Sequence, residues 1–434
     1  LAGNSTKDGS AKVMAGQGLN ISLNGGNFTL AGAGGSNVSF TAPHGDGGTI
    51  TAGNIAITAL GNQGVDLIGL SLNATSGDLT VNASKVSSQS GWGHDVTWSA
   101  AGNLSVVSEK NVSFSASNNE SGGGKTALSG NKGVNITSTS GSVTASIGGN
   151  NKNAVNVSSS EGDVVLTAGG GNLSVAKVNI SAANATTLNA SGALNLSGAN
   201  ISSTNGAVSA EAQGGGVTLG AGKIAAHGDI TLNGSAGSVS LGQGSSLISS
   251  DGNIALSGNT TGTTSGAVVL AGGTGNKKIN VSAVNGTVTL TGNAASGDGV
   301  SVTNATVNAT KAVITGVSES GHGFSLTNTT LQGTLADLGN VTLNSSGSGA
   351  GTWNVLDSSV VTATSRDNLL NMTTGSMTTV DMNGSAIFNH TDQSWDKQYQ
   401  TEASPYNGWI FSNTTVNAAS ANLSGVGFIN STLN

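Results

Sequence analysis

The chain contains no cysteine, which excludes a disulfide framework and any thiolate metal site. It has only two prolines, too few for a collagen-like or proline-rich linker architecture. Charged residues make up 8%, against about a quarter in an ordinary globular domain. Arg366 is the single arginine, and the 14 basic residues form no run. Nucleic-acid binding needs a clustered basic face, so no nucleic-acid partner is expected. No apolar run reaches the roughly 18 residues of a membrane helix, so no transmembrane segment is expected either. Leu1 opens no basic-then-apolar leader, and the chain has no Met start. It therefore reads as a piece of a longer protein whose targeting segments lie elsewhere.

What is abundant is small: 69 glycines, with Ala, Val, Ser, Thr and Asn filling most of the remainder. Low charge and frequent β-branched residues argue against disorder. In Gly171–Ala210 small apolar residues alternate with Ser, Thr and Asn, the pattern of strands with one buried face. Leu173 and Val175 recur as Leu194 and Leu196, and Ile180 recurs as Ile201, each offset by about 21 residues. Alternating strands repeating at that spacing point to an all-β fold, a parallel β-helix with coils of about 20–25 residues.

One corner recurs throughout. Gly53-Asn54-Ile55, Gly77-Asp78-Leu79 and Gly102-Asn103-Leu104 are three copies, and Gly162-Asp163, Gly228-Asp229 and Gly252-Asn253 continue the series. The expected logic is a positive-φ turn at Gly, an Asx side chain bonded to the local backbone, and then a strand. A longer motif reads GVDLIGLSLNAT from Gly64, GVSVTNATVNAT from Gly299 and GFSLTNTTLQGT from Gly323. These repeats predict a β-helical shaft over residues 1–350. An irregular, aromatic-containing insertion follows over 351–412, and a resumed coil over 413–434.

Asn-x-Ser/Thr triplets number about 32, against about 12 by chance, whereas the reversed Ser/Thr-x-Asn order occurs about 17 times. Alternation alone places both residues on the outer face and makes the two orders equally frequent. It explains part of the excess and not its direction. Asn73, Asn304, Asn308 and Asn328 lie in the longer repeated motif and are the glycosylation candidates.

Two places break the pattern. Gly91–Trp98 carries two of the five tryptophans around His94 and Asp95. One His and one carboxylate are too few for a structural zinc site, so a protruding Trp-bearing loop is expected. Toward the C-terminus, Trp395, Tyr399, Tyr406 and Trp409 stand near Asp392, Asp396 and Lys397. They fit either an aromatic platform for sugar rings or the small apolar anchor of a long insertion. No catalytic, cofactor or metal-ligating residues are nominated. No strand–turn–helix nucleophile elbow occurs, and His44-Gly45-Asp46-Gly47-Gly48 is a lone partial calcium-repeat match read as a turn.

The Gly-(Asn/Asp)-apolar-polar-apolar corners, with the phrases NATVNAT and LTNTT, resemble filamentous-haemagglutinin-type repeats of bacterial two-partner-secretion exoproteins. The high-molecular-weight adhesin branch is the most similar. The resemblance implies a right-handed parallel β-helix and export through an outer-membrane transporter partner. It also implies a secreted or bacterial cell-surface location, and attachment of a monomeric rod to a host glycan or protein receptor. In that branch, hexoses are added to such Asn residues before export. Autotransporter passengers share the architecture. The competing expectation is a polysaccharide-cleaving or tailspike-like β-helix. Its carboxylates would come from Asp357, Asp381, Asp392 and Asp396, with Arg366 nearby. Surface binding through Thr ladders is a weaker third expectation, since Thr287-Val288-Thr289 and Thr378-Thr379 are isolated.

Overall fold

The structure is a computed structural model. It describes residues 47–90, 94–116, 124–147, 154–261 and 266–319 continuously, together with strand segments within 11–41 and 324–433. The chain divides into two units, Leu1–Gln213 and Gly214–Asn434. Each is all-β, and a single 3-10 turn at Gly275–Lys277 is the only helical element among the described residues.

In the first unit three strand columns make up each coil, and neighbouring coils pair in parallel. One column runs through Asn103–Ser108, Gly133–Ser138, Asp163–Ala168 and Thr186–Ala190. Its register aligns Leu104 with Val134, Val134 with Val164, and Val164 with Thr186. A second column takes Val112–Ala116, Val143–Ile147 and Leu173–Ser174, and a third takes Thr126–Gly130, Val155–Ser159 and Asn179–Ala182. Leu173 pairs with Leu194 and Ile180 with Ile201, so the 21-residue offset of the sequence is a true coil step. Val300 pairs with Phe324 in the second unit, matching the repeated motif.

Alternation sets the core. Strand Val112–Ala116 buries Val112, Phe114 and Ala116 and turns its serines outward. Like residues stack on like: Ile57, Val81, Val106, Ile136, Leu166 and Leu188 form one inward column, all buried. Fully burying each such side chain contributes about 1.5–3 kcal/mol. The coil step widens from 21 residues between Ile180 and Ile201 to 30 between Val134 and Val164 and 34 between Ile254 and Val288. Within these strand pairs the register runs without a shift.

The corners depart from their expected logic. Positive φ falls at Gly47, Gly61, Gly69 and Gly198 in the first unit and at Gly244, Gly275 and Gly297 in the second. Gly77, Gly102, Gly162 and Gly252 are not among them. These glycines answer to crowding between stacked coils. A Cβ on Gly77 would overlap Asn54 Oδ1, one on Gly102 would overlap Asp78 Oδ1, and one on Gly162 would overlap the Lys132 carbonyl. At the roughly 4.8 Å spacing of paired strands there is no room for it.

The Asx side chains likewise reach the neighbouring coil and not the local backbone. Asn54 Oδ1 accepts the Asp78 N–H at 2.9 Å, and Asp78 Oδ1 accepts the Asn103 N–H at 2.7 Å. Asp163 does the same for Ala185 at 2.9 Å. In the second unit Asp229 serves Asn253 at 2.7 Å and Asn253 serves Thr287 at 2.8 Å. A buried serine completes several corners: Ser159 Oγ accepts the Gly162 N–H at 3.0 Å and donates to the Asn131 carbonyl at 3.2 Å. Ser249 repeats this with Gly252 at 2.9 Å and Gly228 at 2.8 Å.

Trp98 corrects the expectation of a protruding Trp loop. It lies in strand Val96–Ala100, fully buried, edge-on to Phe114 with ring centroids 5.4 Å apart. Its indole N–H donates to the Leu70 carbonyl at 3.1 Å. The residues 91–93 beside it lie outside the described residues.

Candidate functional site

Among the described residues of the first unit lies a polar groove of about 630 Å³. Unequal corners make it. Strand Asn54–Ile68 and strand Leu79–Gln89 pair on both sides of a corner, but the register shifts between Ala59 and Gly64. The lower coil spends Leu60 to Gln63 on that turn, with Gly61 at φ 77°, where the upper coil spends Ser84 alone. The next coil lengthens again through Glu109 and Lys110. Ser84 is thus the floor of a notch between two taller corners. Lys110 Nζ reaches across it to Asn62 Oδ1 at 3.5 Å.

Lys85, Asp66, Asn37 and Ser87 line the same groove. Asp66 pairs in register with Ser87, and Gly64 with Lys85. Because Gly64 lacks a side chain, the base of Lys85 is uncovered. Asn37 Oδ1 accepts the Gly64 N–H at 2.7 Å and holds that wall. On the other flank Ser84 Oγ donates to Glu109 Oε2 at 3.3 Å, beside a smaller recess of about 250 Å³. The arrangement offers two ammonium groups, two carboxylates (Asp66 in the groove and Glu109 on its flank), and several amides and hydroxyls. It suits a hydroxyl-rich ligand. Sequence reasoning missed it. Its one signal is that Lys85 and Lys110 stand one coil apart, flanking a corner whose length changes from coil to coil.

The predicted site residues fall elsewhere. Asn73 is half-buried on the outer face of strand Leu70–Ala74, where its Oδ1 accepts the Ser99 hydroxyl at 3.0 Å. Asn304 occupies a left-handed corner at φ 49°, the position that Gly69 fills in the earlier copy of the motif. Its Nδ2 donates to the Gly272 carbonyl at 3.1 Å. Asn308 sits on the outer face of strand Ala305–Ser318, between Ser282 and Gln332 in register. Asn328 lies outside the described residues, as do Asp392, Trp395, Asp396, Lys397, Tyr399 and Tyr406. Trp409 opens strand Trp409–Asn417 and pairs with Val426. Described strands also run through 354–388, from Asn354–Leu356 to Ser385–Phe388. The structure does not bring His94 and Asp95 together as a site. Asp95 Oδ1 accepts the Lys125 N–H at 2.7 Å, the same corner role as Asp78.

The sequon excess acquires a direction here. Asn37, Asn111 and Asn172 stand just before their strands, each Oδ1 accepting an N–H of the next coil, from Gly64, Ser142 and Ala193. The next residue points inward and the one after it, Ser39, Ser113 or Ser174, points outward. A corner device at the N-terminal end of a strand therefore writes Asn-x-Ser and not its reverse. Elsewhere the amides stack: Asn200 Nδ2 donates to Asn179 Oδ1 at 3.0 Å, and Asn179 Nδ2 to Asn156 Oδ1 at 2.8 Å. All three head sequons.

Compared with known proteins, the sequence matches no family model and no curated protein. Among the described residues no group of three or more His, Cys, Asp or Glu side chains could hold a metal ion, and no helix is long and apolar enough to cross a membrane.

Proposed function

We propose that this chain is the β-solenoid shaft of a secreted or surface-attached bacterial adhesin, a non-catalytic scaffold that displays binding elements. The observation that carries this reading is the use of four of its carboxylates. Asp78, Asp95, Asp163 and Asp229 each accept a backbone N–H from the neighbouring coil, so they serve stacking and not chemistry on a ligand. The two-partner-secretion resemblance of the corner motifs supports the same assignment, with an outer-membrane transporter as export partner and a host glycan or protein as receptor. Of the candidate sequons, Asn73 and Asn308 are the better glycan acceptors, because Asn304 uses its amide to hold a corner. Intact-mass analysis of the protein from its native host should show hexose increments that Asn73→Gln and Asn308→Gln reduce.

The direct test compares attachment to host cells by the full chain and by a version lacking Phe388–Phe411, alongside an oligosaccharide-cleavage assay. Attachment without cleavage is the expected result. Catalytic cleavage would replace this reading with the polysaccharide-processing one.

A further inference from the structure

We infer that the groove over Ser84 is a carbohydrate-binding site for a carboxylated saccharide. The volume of about 630 Å³ lies within the roughly 300–1,000 Å³ range of small-molecule sites. In a chain with a net charge of −7, the groove gathers Lys85 and Lys110. Both are exposed, and their Nζ groups suit a carboxylate through charge-assisted hydrogen bonds.

Asp66 refines the choice of ligand. Two exposed carboxylates, Asp66 in the groove and Glu109 on its flank, repel a dense polyanion but accept hydrogen bonds from sugar hydroxyls. Asn37, Asn62 and Ser87 add amide and hydroxyl groups of the kind that pair with hydroxyls in either sense. No aromatic ring among the described residues lines the groove, so the saccharide would be held by hydrogen bonds and charge and not by stacking. The Lys110 Nζ to Asn62 Oδ1 bridge, at 3.5 Å, spans two coils along one wall.

The occupant proposed is thus a uronate-containing oligosaccharide, which deepens the adhesin reading but is tested apart from it. Calorimetric titration of the full chain would use a hyaluronate tetrasaccharide, a heparin-derived tetrasaccharide and maltotetraose. The hyaluronate probe should bind, and Lys85→Gln with Lys110→Gln should weaken it at least tenfold while leaving the unfolding midpoint and far-ultraviolet spectrum unchanged. Lys85→Gln alone, which leaves the bridge in place, should weaken binding several-fold. Absence of hyaluronate binding, equal binding of maltotetraose, tighter binding of the sulfated probe, or full affinity in the double variant would each overturn the assignment. Cell attachment by the double variant reports on the adhesin reading alone, since other parts of the chain can carry that attachment.

Discussion

The unit of construction is a single Asx side chain at a coil corner. Its oxygen supplies an acceptor where the strand ladder is interrupted by the turn, so a backbone N–H of the next coil is satisfied. Asp163→Ala should lower stability by about 1.5–3 kcal/mol, the range for a hydrogen bond to a charged group, while Asp163→Asn retains most of it. Chemical denaturation of the three proteins checks this, and equal losses would refute the corner role. Ser249→Ala removes both a donor to the Gly228 carbonyl and the acceptor for the Gly252 N–H, in a buried place. The expected cost is about 1–3 kcal/mol in the same assay. The Gly-Asx pairs were legible in the sequence, but their mechanism was not. A glycine required by crowding and a glycine required by positive φ look identical until the coil beneath it is in place.

The coil Leu79–Ala100 shows how elements accommodate one large residue. The inward positions in register with it in the adjacent coils hold Leu72 and Leu128, yet this coil buries Trp98. Ser88, in the strand before it, stands where the adjacent coils place Leu67 and Phe114. Small opposite large conserves the volume of the lumen. Ser88→Leu should therefore overpack the coil and cost about 1–3 kcal/mol. Trp98→Ala should cost about 3–5 kcal/mol. Thermal unfolding followed by far-ultraviolet dichroism reads both, and a stabilising Ser88→Leu would contradict the volume argument. The inward sense of Trp98 was obscured because a Gly-rich tryptophan segment is also the composition of a loop.

For the molecule as a whole, stability rests on backbone ladders and apolar columns, with only 8% of residues charged. Screening should matter little, so raising NaCl from 10 mM to 500 mM should move the melting temperature by less than about 3 °C, as expected where surface ion pairs contribute little. A large drop would show that charge pairs hold the coils together.

The sequence by itself determined the all-β class, the parallel stacking and the 21-residue step of Gly171–Ala210, because a period-two pattern repeating at that step can bury its apolar face only against its own copies, whereas the steps of 30 and 34 residues were not legible in it. It did not determine which outward residues meet. Lys85, Lys110, Asp66 and Asn62 are spread over two coil steps, and their shared groove depends on one corner being Ser84 alone between two longer ones. Relative corner height belongs to stacked coils, and only the tertiary structure decided it.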